Sequence, residues 1–149
     1  MKANSTGIQY PISFYATAQA PSGIQSLWST ESQTLKNKCA IPPEFEGPGG
    51  AFSPEDLFAQ ALTNCFIATF KVYAEKSKIN FNQVTTEAEL IADLDEHNKP
   101  VMKKFLLHVH ISGCENPSRV KTIADKAFHS GFILNSVKTE LSLDLQISE

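Results

Sequence analysis

Hydrophobic and polar positions change period several times along this chain, and each change marks an element. The longest run covers residues 53–78, SPEDLFAQALTNCFIATFKVYAEKSK, with no charged residue between Leu57 and Phe70. Phe58, Ala61, Leu62, Cys65, Phe66, Thr69, Val72 and Tyr73 recur at helical spacing, while Ala59, Ile67, Ala68 and Phe70 fill much of the opposite face. Ser53 suits the N-cap, Pro54 the first helical position, and Asp56 completes a capping-box pattern with Ser53. Glu55 and Asp56 put negative charge where a helix start carries partial positive charge. A helix apolar nearly all round is normally buried on all sides, which predicts a sheet on one side and a second subunit on the other. Cys65 is then expected in a dry environment.

Before this helix, residues 8–20 carry alternating and aromatic positions that suit a strand, with Pro11 marking an edge or irregularity. Pro21, Ser22 and Gly23 predict a turn, and residues 25–30 and 33–40 read as two further strands around Glu31 and Ser32. Residues 41–55, IPPEFEGPGGAFSPE, are too rich in proline and glycine for regular structure and predict a stiff loop into the helix. After the helix, residues 83–95 alternate through Val84, Thr86, Ala88, Leu90, Ala92 and Leu94. Residues 101–112 follow, with Val101, Lys103, Phe105, Leu107, Val109 and Ile111 on one face, so the two runs predict a long hairpin. Asn116 is placed to cap a second helix from Pro117, with Val120, Ile123, Ala124, Ala127 and Phe128 inward and Gly131 as its stop. A last strand is expected over residues 137–147. The order βββ-α-ββ-α-β, with antiparallel strands, makes the fold class α+β. No repeat or linker divides the chain, so residues 1–149 are expected to form a single domain.

Composition narrows the function classes. The net charge of −3, with lysines scattered rather than clustered, argues against a nucleic-acid or membrane-surface role. The N-terminal residues lack the apolar run of a signal peptide, and the uncharged part of the long helix is too short and too rich in Gln, Thr and Asn to span a bilayer. These readings predict a cytoplasmic protein. Three widely spaced cysteines, Cys39, Cys65 and Cys114, form neither a disulfide framework nor a CxxC metal pattern, so each is expected as a thiol.

The segment PPEFEGPGGAFSPEDLFAQALTNCFIATFKVYAEKSKI resembles the OsmC/Ohr family (osmotically inducible protein C and organic hydroperoxide resistance protein). The matching features are the Gly-rich loop, the SPE-x-LF helix start, and a cysteine followed by an aromatic in an Ala-rich helix. The C-terminal KAFHSGFILNSVKTELSLDLQI also looks like the family's closing segment. The resemblance implies an intertwined homodimer that reduces organic hydroperoxides with a pair of cysteines, needing an external thiol reductant and no cofactor. One thiolate attacks the peroxide and becomes a sulfenic acid, and the second cysteine resolves it to a disulfide. Cys65 falls on the attacking position, and Glu55 on the carboxylate that orients an activating arginine.

Two departures stand out. The resemblance places the resolving cysteine where this chain has Gly131, and the arginine in the N-terminal strands, whereas the only arginine is Arg119. On a straight helix Glu55 and Cys65 lie about 15 Å apart, so a carboxylate there acts on the sulfur only through a bridging cation. Lys36, Lys38, His129 and a lysine of another subunit are candidates for that cation.

Each site residue also has a plainer reading. Cys65 suits a small core hydrophobe, and Glu55 suits ordinary first-turn charge. Cys39 or Cys114 either replaces the missing resolving thiol or is idle. His108 and His110 form an H-x-H pair on one strand face, which fits a metal but fits a polar face better, and no metal site is expected even with His97 or His129 nearby. Phe45, Phe52, Phe58 and Phe66 line either an apolar pocket or the core. The sequence therefore supports a one-cysteine thiol peroxidase for organic hydroperoxides. The alternative is a catalytically silent relative that binds an acyl-like small molecule.

Overall fold

The computed structural model describes residues 2–3 and 9–149. The chain divides into two compact units, residues 1–54 and 55–149.

In the first unit, β1 (Lys2–Ala3) pairs antiparallel with β2 (Gln9–Tyr10). A three-stranded antiparallel sheet follows, made of β3 (Thr17–Gln19), β4 (Trp28–Ser32) and β5 (Leu35–Cys39). The strand expected over residues 8–20 is thus two short ones interrupted from Pro11 on, and Ile8 lies outside the described residues. The turn expected at Glu31 and Ser32 falls two residues later, at Gln33 and Thr34, where Gln33 takes a left-handed φ of 55°. Glu31 and Ser32 instead continue β4, in register with Lys36 and Leu35. The Pro/Gly-rich loop holds one short 3-10 turn, Pro43–Phe45, where only irregular backbone was expected. Proline at its first position fixes φ for that turn.

The second unit is built around α1 (Pro54–Lys76). One stripe of it, Leu62, Phe66, Phe70 and Ala74, is fully buried. Phe66 and Phe70 stack at 6.0 Å between ring centroids, and Phe81 packs on Phe70 at 5.2 Å. The opposite stripe is not covered within the chain: Leu57 and Val72 are 37% and 49% exposed, and Asn64 and Ala68 are exposed. Burial on all sides therefore does not hold for the single chain. Its own sheet and second helix cover only one side.

That sheet consists of β6 (Gln83–Leu94), β7 (Pro100–Ser112) and β8 (Glu140–Ile147) in this order. The period-2 pattern sets its inner rows: Leu90, Phe105 and Leu141 are in register, as are Ala88, Leu107 and Leu143, and Val84, Ile111 and Ile147. A register shift between Ile91 and Ala92 breaks the alternation near the hairpin end. Val101 and Lys103 are consequently exposed, although the sequence puts them on the same face as Phe105.

Helix α2 (Pro117–Ser130) starts where expected, with the Asn116 side chain accepting a hydrogen bond from the Arg119 N–H at 3.2 Å. Val120, Ala124, Ala127 and Phe128 are buried, and Gly131 caps the end. One feature of the sheet departs from the antiparallel expectation. β7 and β8 pair parallel, because α2 carries the chain back along the sheet before β8 begins. A second 3-10 turn, Leu134–Ser136, uses residues that the sequence leaves outside any element, and β8 starts at Glu140 rather than at Val137.

Cys114 lies in this core, its thiol 3.7 Å from the Ile111 carbonyl oxygen, and burial pushes the thiol's pKa up. Below the ordinary thiol range, about pH 8.5, folded and unfolded chains both keep the proton. Above it the unfolded chain ionises first, so stability falls as pH climbs toward the folded value. The guanidinium unfolding midpoint of the wild type should therefore drop more steeply above about pH 8.5 than that of Cys114→Ala. Parallel pH profiles for the two proteins refute this assignment.

Candidate active site around Cys65

Helical spacing gives α1 a second stripe, Cys65, Thr69 and Tyr73, each four residues apart and half-buried. This stripe meets the C-terminal end of α2. The Tyr73 hydroxyl lies 2.8 Å from the Ser130 hydroxyl, which itself donates to the Lys126 carbonyl at 2.6 Å. The Lys126 ammonium sits 4.9 Å from the centroid of the Tyr73 ring, a cation–π contact.

At the other end of the stripe the two helices approach closely. A Cβ built on Gly131 would stand 2.6 Å from Cys65 Sγ, 3.1 Å from Leu134 Cδ1 and 3.4 Å from Thr69 Oγ1. Gly131 has φ −62° and ψ 138°, ordinary extended backbone that any residue adopts. It is glycine for space, not for conformation. The residue that the family resemblance aligns with a second cysteine thus lies against Cys65, and it offers no sulfur.

Neither of the other cysteines is bonded; all three are free thiols. Cys39 closes β5 in the first unit and is buried. Cys114 precedes the start of α2, whereas the Cys65 sulfur lies at its end. The 14 residues of α2 span about 21 Å, and a disulfide needs Cα atoms within about 7 Å. Cys114 is therefore no resolving partner for Cys65 within one chain.

Glu55 and the Arg119 contact lie toward opposite ends of α1, away from the sulfur. Glu55 stands in the first turn of α1, and its Oε2 is buried with no hydrogen-bond partner. Arg119 donates from Nη2 to the Ser77 carbonyl at 3.1 Å, just beyond the opposite end of α1. Twelve residues of helix put that contact about 18 Å along the axis from Cys65. Lys36 pairs with Glu31 at 3.2 Å in the first unit. His129 Nδ1 bonds the Asp125 carbonyl at 2.7 Å. Periodicity alone assigns Thr69 to the packing face, and only the structure reveals that its hydroxyl and the Cys65 sulfur both face the Gly131 Cα. The spacing 65, 69, 73 is the sequence signal that marks it.

His108 and His110 occupy the outer face of the sheet. His108 Nδ1 is 3.0 Å from Asp144 Oδ2, and His110 Nε2 is 3.0 Å from the Ser148 hydroxyl. Among the described residues no three His, Cys, Asp or Glu side chains gather to hold a metal ion. Of the four phenylalanines that the sequence offers for a pocket, Phe66 is in the core, while Phe45 and Phe52 belong to the first unit and are exposed. Phe58 does line a groove of about 750 Å³, together with Val101, Met102, Val137, Lys103 and Lys138. No helix among the described residues is long and apolar enough to cross a membrane.

The profile of the OsmC-like protein family matches residues 47–146, from the Gly-rich loop through most of β8. The chain belongs to the OsmC-like protein family. It is 26% identical to an organic hydroperoxide resistance protein OsmC from Legionella pneumophila, whose structure superposes with a TM-score of 0.71 over 93% of this chain and 100% of that one. An OsmC-like protein of unknown function from Vibrio cholerae, 22% identical, gives a TM-score of 0.75 over 88% of this chain and 98% of that one. The uncharacterized protein YmaD of Bacillus subtilis is 23% identical over 91% of this chain and 93% of its own length. The α+β architecture is thus that of OsmC-like proteins, with one strand pair parallel.

The close approach at Gly131 predicts a specific coupling in this OsmC-like chain. Gly131→Ala should lower stability by about 1–3 kcal/mol, because the new methyl overlaps the sulfur and the Leu134 side chain. In a Cys65→Ala background the same change should cost at least about 1 kcal/mol less. Equal costs in the two backgrounds, measured by denaturant unfolding, rule the coupling out.

Proposed function

We propose that this protein reduces organic hydroperoxides through Cys65 as a one-cysteine peroxidase. The observation that carries this reading is the half-buried Cys65 on α1, set against a glycine at the position that the family resemblance gives to a second cysteine. Membership of the OsmC-like family and the likeness to a hydroperoxide resistance protein support it. In the proposed cycle the Cys65 thiolate attacks one peroxide oxygen, the O–O bond breaks, and the alcohol leaves with a proton from solvent. Cys65 is left as a sulfenic acid. An external thiol then condenses with it, releasing water and forming a mixed disulfide. A second thiol exchanges with that bond, returning Cys65 and releasing the external disulfide. One hydroperoxide and two thiols give alcohol, water and one disulfide.

The proposal places the work in the cytoplasm and in a homodimer. The uncovered stripe of α1, with Leu57 and Val72 exposed, supports a second copy lying there. Glu55 is a second site residue in this reading, its free Oε2 ready to accept a hydrogen bond from a cation brought by assembly.

One observation favours a binding module instead. Glu55 is unpartnered and the only arginine is engaged at Ser77, so the ionic activation implied by the family resemblance is not assembled within the chain. The mostly apolar groove beside Phe58 then becomes a small-molecule site.

The two readings separate on chemistry. With cumene hydroperoxide and dithiothreitol, wild type should consume peroxide, whereas Cys65→Ser should not. Without reductant, a sulfenic acid should be trapped on Cys65 by dimedone. A wild type no faster than Cys65→Ser, with no adduct, discards the peroxidase reading.

A further inference from the structure

Hydroxyl side chains in the helical segments of this protein mostly bond back to the carbonyl four residues earlier. Thr63 donates to Ala59 at 2.8 Å, Thr122 to Ser118 at 3.1 Å, Ser130 to Lys126 at 2.6 Å, and Ser136 to Phe132 at 2.6 Å. Thr69 is different. Its hydroxyl is half-buried and, among the described residues, makes no hydrogen bond. It lies one turn from Cys65 on the same stripe of α1, and both Oγ1 and Sγ crowd the point beside the Gly131 Cα where a side chain would begin. Gly131 thus keeps open the space into which both atoms project.

We propose that Thr69 is a positioning residue for Cys65, its hydroxyl donating a hydrogen bond to the sulfur when the thiolate forms. A hydroxyl hydrogen rotates about the Cβ–Oγ1 bond, so the O–H turns toward Sγ without moving the oxygen. A hydrogen bond to a charged acceptor contributes more than a neutral one, and a partly buried setting keeps water from replacing it. The donor is local and uncharged, and it needs neither the arginine nor Glu55. The inference deepens the reading of Cys65 as the reacting group.

The test reads the sulfur directly, without peroxide. Iodoacetamide labelling of Cys65 is followed by peptide-resolved mass spectrometry from pH 6 to pH 10 in wild type, Thr69→Val and Thr69→Ser. Valine keeps the shape and removes the donor, and serine restores it. Thr69→Val should label about tenfold more slowly at neutral pH, with its profile displaced to higher pH, while Thr69→Ser should follow wild type. A Thr69→Val profile that coincides with wild type overturns the proposal. So does a Thr69→Ser protein as slow as Thr69→Val, or a Cys65 that resists labelling throughout. The outcome is independent of turnover. A protein that shows the Thr69 effect yet consumes no hydroperoxide keeps this inference and loses the peroxidase reading.

Discussion

The second unit depends on how closely the end of α2 meets the middle of α1. No side chain fits between the Gly131 Cα and the Cys65 sulfur, and the backbone there is ordinary, so the contact is steric. It fixes where the sulfur lies relative to Thr69 and Leu134. It also sets the direction in which the chain leaves α2 for β8. Glycine at a helix end usually serves backbone conformation. Here it serves close approach, so a Cβ at this position would have to displace the Cys65 sulfur.

The remainder of the unit holds this contact in place. Phe66 and Phe70 of α1 pack into the cluster formed by Phe105, Leu107 and Ile111 of β7 and by Val120, Ala124 and Phe128 of α2. Removing a fully buried ring of this kind typically costs about 3–5 kcal/mol, a large part of a domain's net stability. Because α2 connects β7 to β8 in parallel, the helix is tethered to the sheet at both ends. Tyr73 and Ser130 then link the two helices by a hydrogen bond close to the Cys65–Gly131 contact.

Much of this architecture is legible in the amino-acid order because local signals agree with one another. Asn116 caps, Gly131 stops, and the inward residues of β7 alternate as a half-buried strand should. Elsewhere a local signal is overridden. Apolar periodicity does not say which side of α1 the single chain leaves uncovered, with Leu57 and Val72 exposed, since it reports what prefers burial and not what is available to cover it. The parallel pairing of β8 is a property of chain routing, which strand alternation does not encode. The register shift opposite Ile91 and Ala92 leaves Lys103 unpaired on β7 and moves Val101 outward against its period. For the site, the family resemblance leads to Cys65 and to Gly131 as its counterpart. The position of Thr69 is not legible, because threonine at helical spacing reads as packing until its hydroxyl is found facing the same Gly131 Cα as the sulfur.

The arrangement along α1 constrains any chemistry at Cys65. The carboxylate of Glu55 lies about 15 Å toward one end of the helix, and the Arg119 contact about 18 Å toward the other. Neither reaches the sulfur. An ionic relay from carboxylate through guanidinium to thiolate therefore does not form from α1 and α2 alone. What gathers about the Gly131 Cα is the sulfur, the Thr69 hydroxyl and the Leu134 side chain. Within the second unit the other thiol, Cys114, lies at the far end of α2, so a sulfenic acid at Cys65 would need a thiol from outside that unit. The peroxidase proposed above would rely on local donation to the sulfur and on access from solvent. The half-buried position of Cys65 is compatible with both.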